Sequence, residues 1–518
     1  MFSPLFDGPG PWPTFVKRKD NVNLPLLEQR SKYLKEQLLF ENSLISYQTL
    51  NTLSPSIASS TAAAGGGGPA PGGGGGPVPN PNFPLDNTSI VTAVALYFSD
   101  QAAAEAQYGL LNEWNTTGVT SMNRLFTTYL KPQAAGFNED ISGWDVSNVT
   151  DMTYMFYQQF DFNQPLGAWN VSSVTSFNSM FYNATSFNQD LSGWDLSSAN
   201  NLVSIFFGAT AFNNGGQALT WTMPSGGGFK QISSMFQGAT SFNQDCSSWV
   251  VEGNINQIFY LASSFNNGGQ PLTWDVSNVT SMNGLFQGTS FNQDISTWDV
   301  SNVTNMGAMF QNNASFNQDI GSWNFGAGLY DVRSMFQGAT SFNQNLSGWV
   351  LDGVSMSNMF FGATAFNNGG QALTWTLSNS TLTVEISLNN LFRSATSFNQ
   401  DVSSWDVSGF SGFNEAFSGA TAFNQDISSW DVSNAGYREE PYYGKSTLKN
   451  IIANSGISTA NYDALLIGWS ALTFANTAAP NIELGAGTIQ YSAGAAATAR
   501  GVLAGAPNNF TITDGGQA

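Results

Sequence analysis

Phe291-Asn292-Gln293-Asp294-Ile295-Ser296-Thr297-Trp298-Asp299-Val300-Ser301-Asn302-Val303-Thr304, then Met306 and Met309-Phe310, is the stretch that decides the fold. The same pattern recurs along the chain. A Phe-Asn pair opens each copy, at Phe137, Phe162, Phe187, Phe212, Phe242, Phe265, Phe291, Phe316, Phe342, Phe366, Phe398 and Phe423. A tryptophan follows every pair, from Trp144 to Trp430, at separations of 24 to 30 residues. A second phenylalanine, usually after Met, precedes each pair, as at Phe126, Phe156, Phe181 and Phe286. These two registers hold 24 of the 40 phenylalanines, so most of the Phe does one packing job repeatedly.

A unit this short cannot bury its own apolar face, whereas stacked units can. The Asp-Ile-Ser-x-Trp segment alternates apolar and polar residues and reads as a short strand. One strand per coil, always in the same direction, predicts a mainly β repeat protein: a parallel β-solenoid of about twelve coils with terminal caps. Phe, Met, Ile and Trp then form ladders along the core. An asparagine after the first Phe, present in all twelve copies, is placed to hydrogen-bond backbone groups that a coil corner leaves unpaired.

Composition narrows the chemistry. The 518 residues carry 35 acidic and 15 basic side chains, a net charge of -20. Phosphate backbones need Lys and Arg, so nucleic acid is not an expected partner. There is no histidine, which removes the usual general base and every His-ligated metal site. The one cysteine, Cys246, occupies the Ile/Leu position of its repeat and reads as a buried small apolar side chain. No run of about 18 apolar residues predicts a transmembrane segment. Met1-Phe2-Ser3-Pro4-Leu5 lacks the basic-then-apolar plan of a secretory signal.

Five regions follow. Residues 1–63 form an N-terminal segment whose positions 25–48 read as an amphipathic helix, with Leu27, Leu34, Leu38 and Ile45 on one face; it is a candidate self-assembly or docking element. Residues 64–85 are a Gly/Pro-rich linker. Residues 86–136 hold helices near Ile90–Phe98 and Ala102–Tyr108 and an opening half-repeat. The repeats occupy 137–435, and 436–518 form a C-terminal cap. Within that cap Ser458 caps a helix to Trp469, a second helix lies near Ser492–Leu503, and a strand closes at Phe510–Thr513.

The pattern resembles the BspA-like leucine-rich-repeat surface proteins, in the 25-residue repeat class that is a domain of unknown function (DUF285). Asn-Gln-Asp-Ile-Ser-x-Trp-Asp-Val-Ser-Asn-Val-Thr-x-Met-x-x-Met-Phe stands nearly whole at 292–310, and again at 138–156 with Glu139. Tyr108 to Phe126 is similar to the family's opening half-repeat, and the segments 461–469 and 511–516 to its closing cap. The resemblance implies a leucine-rich-repeat-like solenoid and adhesion or binding at a cell surface, with no catalytic residues. Residues 17–48 resemble leader segments of structural proteins from large algal DNA viruses, which implies a virion as the alternative location.

Two acidic columns are the candidate chemistry. Between 137 and 435 there are 21 Asp or Glu against three basic residues, Lys230, Arg333 and Arg393. Asp294 and Asp319 stand in one column, Asp275 and Asp299 in the other, just after Trp. Stacked like charges invite a cation, so these four are the candidate metal ligands, although the columns are broken and lack a calcium-loop spacing. Solvated turn carboxylates are the reading we adopt, with no cofactor. Paired carboxylates could also serve a sugar-cleaving solenoid enzyme, but such an enzyme needs one unusual coil, and here the carboxylates repeat. The expected function is therefore non-catalytic binding of a protein or a cell-surface glycan ligand. The alternative is a structural component of an assembled particle, virion or wall, docked through its N-terminal helix.

Overall fold

The structure is a computed structural model and describes residues 84–127, 136–221, 231–377, 387–410, 412–435, 448–474 and 482–518. The chain divides into two units, Met1–Gly74 and Gly75–Ala518. The expected helix at 25–48 and most of the 64–85 linker lie outside the described residues.

The described part opens with helices α1 (Ser89–Ser99) and α2 (Gln101–Tyr108). Asp100 separates them and caps the second, its carboxylate accepting from Ala103 N–H at 3.0 Å. The repeats follow, and two helices, α3 (Thr459–Ser470) and α4 (Ala495–Ala504), close the chain. The last helix starts three residues later than the sequence predicts, because Gly494 before it is left-handed at φ 85°.

Within the repeats the expected strand at Asp-Ile-Ser-x-Trp does not form. That segment is a pair of tight turns. Trp298 N–H donates back to the Ile295 carbonyl at 3.2 Å, and Asp294 Oδ1 accepts from Ser296 N–H at 2.8 Å. Asp and Ser favour such turns because their side chains compete for the backbone, and here local bonding overrides the alternating pattern.

Parallel pairing occurs instead at Val-Thr-x-Met. Single-residue bridges join Ser121 to Asp151, Asp151 to Ser176, Ser176 to Asn201 and Asn201 to Gln231, and the series resumes from Ser281 to Ser355. Among the described repeat residues, β1 (Gly253–Asn254) and β2 (Val279–Ser281) alone extend it to a strand pair. Two more short parallel strands, β3 (Glu483–Gly485) and β4 (Thr511–Thr513), lie in the C-terminal part.

Regular strand is scarce for a reason visible in one coil. Met152, Tyr154, Phe156 and Gln158 donate their N–H groups to Ser176, Asn178, Met180 and Tyr182 of the next coil at 2.7–2.9 Å. The residues between them fold back: Met155, Tyr157 and Gln159 donate to carbonyls three residues earlier. Tyr154 (φ 58°) and Gln158 (φ 59°) are left-handed, and the equivalent positions repeat this in successive coils. Every second N–H thus binds the neighbour while the chain turns rather than extends. Gly occupies this register in several coils, and at Gly338 (φ 70°) a Cβ would lie 2.4 Å from Asn312 Oδ1.

The core is a set of aromatic columns. The second phenylalanines, Phe126 to Phe417, stack coil on coil at 5.4–6.0 Å between ring centroids. Inside each coil the two phenylalanines lie face to face at 3.6–4.1 Å. Such ring pairs contribute about 0.5–1.5 kcal/mol beyond their buried area. All twelve repeat tryptophans are buried. Each indole N–H donates to the carbonyl of the previous coil's Ile/Leu position, as Trp298 to Leu272 at 3.0 Å and Trp323 to Ile295 at 3.1 Å. Cys246 is fully buried at that position, and its carbonyl accepts from Trp274.

The asparagines form a second ladder. Asn138 Oδ1 accepts from Asn163 N–H at 2.8 Å, Asn163 from Asn188 at 2.9 Å, Asn188 from Asn213 at 2.8 Å, and so on to Asn424. The following Gln amide reinforces it: Gln318 Nε2 lies 3.0 Å from both the Asn292 Oδ1 and its carbonyl oxygen. Three copies carry Asn-Asn-Gly-Gly-Gln instead. There a glycine N–H takes the glutamine's place, Gly215 on Asn188 and Gly268 on Asn243, each at 3.0 Å.

The C-terminal part continues both ladders. Ser458 N–H donates to Asn424 Oδ1 at 2.8 Å, and Asn461 Nδ2 sits where the next glutamine would, 3.0 Å from the same oxygen. Trp469 on α3 is fully buried and donates to the Ile427 carbonyl at 3.3 Å. A helix therefore presents the same donors to the last repeat that a thirteenth repeat would.

Two predictions follow from these ladders. Asn292→Ala removes the acceptor of Asn317 N–H and of Gln318, and is expected to cost about 1–3 kcal/mol in urea unfolding. Asn292→Asp retains Oδ1 and is expected to cost less; equal losses would show that the acceptor is not what the asparagine contributes. A chain ending at Asn434 exposes the unpaired donors and acceptors of its last coil, and is expected to aggregate by light scattering. A monomeric product melting where the full chain does would show that 436–518 is a separate module.

Candidate functional site

The four candidate carboxylates lie on the outside of the turns just described, and all four are exposed. Each makes the same local bond. Ser277 N–H donates to Asp275 Oδ1 at 3.0 Å, Ser296 to Asp294 at 2.8 Å, Ser301 to Asp299 at 3.0 Å and Gly321 to Asp319 at 2.9 Å. The carboxylate is the acceptor that sets the turn. Asparagine does the same at Asn345 and Asn170, so the turn does not require the charge.

Hydrogen bonding sets the electrostatics. The Ser296 backbone N–H, then its hydroxyl, hold the Asp294 carboxyl below its ordinary value. For Asp275 and Asp299 the serine hydroxyl at i+2 acts first and the N–H second. Asp275 opposes the shift at Asp299, which is the like-charge repulsion expected of neighbouring coils. Because the columns are broken, such neighbours are few: Asp275 with Asp299 and Asp406 with Asp431 in one column, Asp294 with Asp319 and Asp401 with Asp426 in the other. Among the described residues no group of three or more Cys, Asp or Glu is placed to hold a metal ion. The tryptophan column, which could stack sugars if it faced outward, is core throughout.

Sequence reasoning missed two clusters. One is in the C-terminal part. Arg500 Nε donates to Asp514 Oδ2 at 2.7 Å, and Tyr462 OH donates to the same oxygen at 2.9 Å. Burial first, and the Asp514 charge second, push the Tyr462 phenol far up. This pair ties α3 and α4 to the strand-end at Asp514, and nothing in the local pattern marks residues 52 apart as partners.

The other is on the surface. Tyr157, Tyr182 and Phe207 stack coil on coil at 4.8 and 4.3 Å, with Tyr154 edge-on to Tyr157 at 5.4 Å. Arg124 lies over the Tyr154 ring, its Cζ 4.9 Å from the centroid. The available signal was the residue after the second phenylalanine, aromatic in these three successive copies and again at Tyr260 and Phe361, and Thr, Gln, Arg or Ser in the others. A shallow depression where α1, α2 and the first repeat meet is lined by Tyr97, Phe98, Gln101, Phe137 and Glu139, among others, and offers one carboxylate.

The lowered carboxyls fix a pH dependence. Their folded values lie below the ordinary value of about 3.9, so the fold favours the ionised form. That contribution is present at neutral pH and is lost as pH falls from the ordinary carboxyl value of about 4 through the lower folded values. Melting temperature is expected to be flat from pH 7 to 5 and to fall below 4, with a shallower acid limb in Asp294→Asn/Asp299→Asn. Adding chelator at pH 7 is expected to leave it unmoved, since these oxygens already accept from backbone donors. A drop of several degrees with chelator would assign the columns to a cation.

A family model described as Mycoplasma protein of unknown function, DUF285, matches residues 88–221, 227–272, 268–375 and 374–462. No curated protein and no solved structure matches the chain. The matched regions take in the opening helices, the repeats with their aromatic and asparagine ladders, and the start of α3, well over half of the 518 residues. The chain thus belongs to the DUF285 family.

Proposed function

We propose that the repeats form one capped, leucine-rich-repeat-like solenoid whose outer face binds a protein or glycan at a cell surface, without catalysis. The observation that carries this reading is the division of labour within a coil. Phe and Trp are buried, the constant Asn forms the ladder between coils, and Asp and Thr, where they occur, are engaged in turns and bonds to the neighbouring coil. Outward positions, those of the broken acidic columns among them, vary from copy to copy. That is the economy of a display scaffold: constant residues build it, and variable ones address a partner.

The non-catalytic part is supported by the lack of histidine and by carboxylates that serve as turn acceptors. No helix among the described residues is long and apolar enough to cross a membrane. Attachment at a surface would then rest on other parts of the chain or on a partner.

The test is accessibility in the intact source. An antibody raised against residues 137–435 is expected to label unpermeabilised cells, and external protease to remove the epitope. Labelling only after lysis would exclude display at a cell surface. Recovery of the epitope with purified particles would transfer the role to a structural component of the particle.

A further inference from the structure

The coil from Phe316 to Ser341 departs from its neighbours at Tyr330, Asp331 and Arg333, on the face where the parallel bridges run. Tyr330 stands in a register that is threonine at Thr120, Thr150, Thr175, Thr280 and Thr304. Its backbone keeps the ladder: Tyr330 N–H donates to the Thr304 carbonyl at 3.0 Å, and its own carbonyl accepts from Ser355 N–H at 2.9 Å. The ring is therefore an addition to a coil that closes without it. It is half-exposed and lies outside the core. Among the described residues no second ring covers it, unlike the stacked Tyr157 and Tyr182.

Asp331 and Arg333 stand where the coils on either side hold Asn305 with Gly307, and Ser355 with Ser357. Arg333 Nε donates to Asp331 Oδ1 at 2.9 Å and Nη2 to Oδ2 at 2.7 Å. The carboxylate is only 4% exposed and the arginine side chain 58%. Two parallel bonds fix the plane of an exposed guanidinium. The coils around it close without such a pair, so closure does not explain it. Polar groups gather beside the fork. Asn305 Nδ2 donates to the Tyr330 hydroxyl at 3.4 Å. Gly307 lets two more approach: a Cβ there would lie 2.8 Å from Asn283 Nδ2 and 3.3 Å from Asp331 Oδ2. Among the described residues, Arg333 Nη1 and Asn283 Nδ2 have no acceptor.

This chemistry selects its ligand. In a chain of net charge -20 the Asp331–Arg333 pair sums to zero. The carboxylate opposes an anion and the guanidinium a cation. Free N–H donors next to a carboxylate and a phenol match groups that both donate and accept, which is what hydroxyls do. An uncovered aromatic ring beside them suits the C–H face of a sugar, whose weakly positive hydrogens meet the negative face of the ring.

We propose that Tyr330, the Asp331–Arg333 fork, Asn283 and Asn305 form a binding site for an uncharged sugar unit of a glycan. The sugar ring lies on Tyr330 and its hydroxyls bond to the fork and the amides. This names the ligand class of the scaffold proposed above and rests on that reading.

The test titrates the full chain with neutral oligomers of glucose, mannose, galactose and N-acetylglucosamine. Two variants are compared with it. Tyr330→Thr restores the residue of the register, and Asp331→Ser/Arg333→Ser installs the serines of the next coil and leaves net charge unchanged. The full chain is expected to bind at least one of these oligomers. Each variant is expected to bind it at least about tenfold more weakly at an unaltered melting temperature, and Tyr330→Phe, which keeps the ring, to retain most of the affinity. Absence of binding by the full chain, or equal affinity in Tyr330→Thr, overturns the proposal. A loss as large in Tyr330→Phe as in Tyr330→Thr removes the stacking and overturns it too. None of these results alters the labelling of intact cells, so the scaffold reading is decided separately.

Discussion

No coil of this protein can satisfy its own backbone. Half of the N–H groups in the turn-rich segment around each Met-Phe point out of their coil and find carbonyls only in the next one. An unmade buried hydrogen bond costs on the order of 1–3 kcal/mol, and each coil leaves several. The same holds for the rings, whose faces are covered by the coils before and after. Neighbour dependence is therefore the constraint from which the rest follows. It explains why asparagine recurs without exception: its side-chain oxygen takes the next coil's N–H at the corner, where no carbonyl reaches.

An array built this way has a problem at its ends, and the ends solve it by imitation. At the start, Asn87 Oδ1 accepts from Thr120 N–H at 2.8 Å and Ser121 N–H at 3.0 Å, standing in for a missing coil. Trp114 begins the indole column by stacking on Trp144 at 6.0 Å. At the other end α3 supplies Ser458, Asn461 and Trp469 to the acceptors that a further repeat would meet. The secondary structure changes from turns to helix while the donors stay in place. What the last coil requires is a pattern of N–H groups and one buried indole, not a particular backbone conformation.

The inward and corner positions being committed, freedom is left to the outward ones. The acidic columns look like chemistry in the sequence, but each carboxylate closes a turn and asparagine replaces it without loss of the turn. The aromatic ladder on the outward register is different in kind, because the same register holds glutamine, serine or arginine in other coils and no turn depends on the ring.

The repeat, the core register and the role of the corner asparagine were legible in the sequence, because stacking identical units makes every core contact a contact between identical positions. Periodicity then suffices: Phe meets Phe, Trp meets Trp, and Asn meets Asn one repeat on. The helix caps at Asp100 and Ser458 were legible too, since capping is decided within three residues. The strand at Asp-Ile-Ser-x-Trp was misread because its alternation is real but its Asp and Ser bond their own backbone first. Which carbonyls receive the alternate N–H groups, how Asp514 draws together Arg500 and Tyr462, and that Tyr157, Tyr182 and Phe207 share a column on the surface were decided by the tertiary structure. Those depend on where a left-handed turn points each side chain, and that direction is set by contact with the next coil rather than by the residues of one.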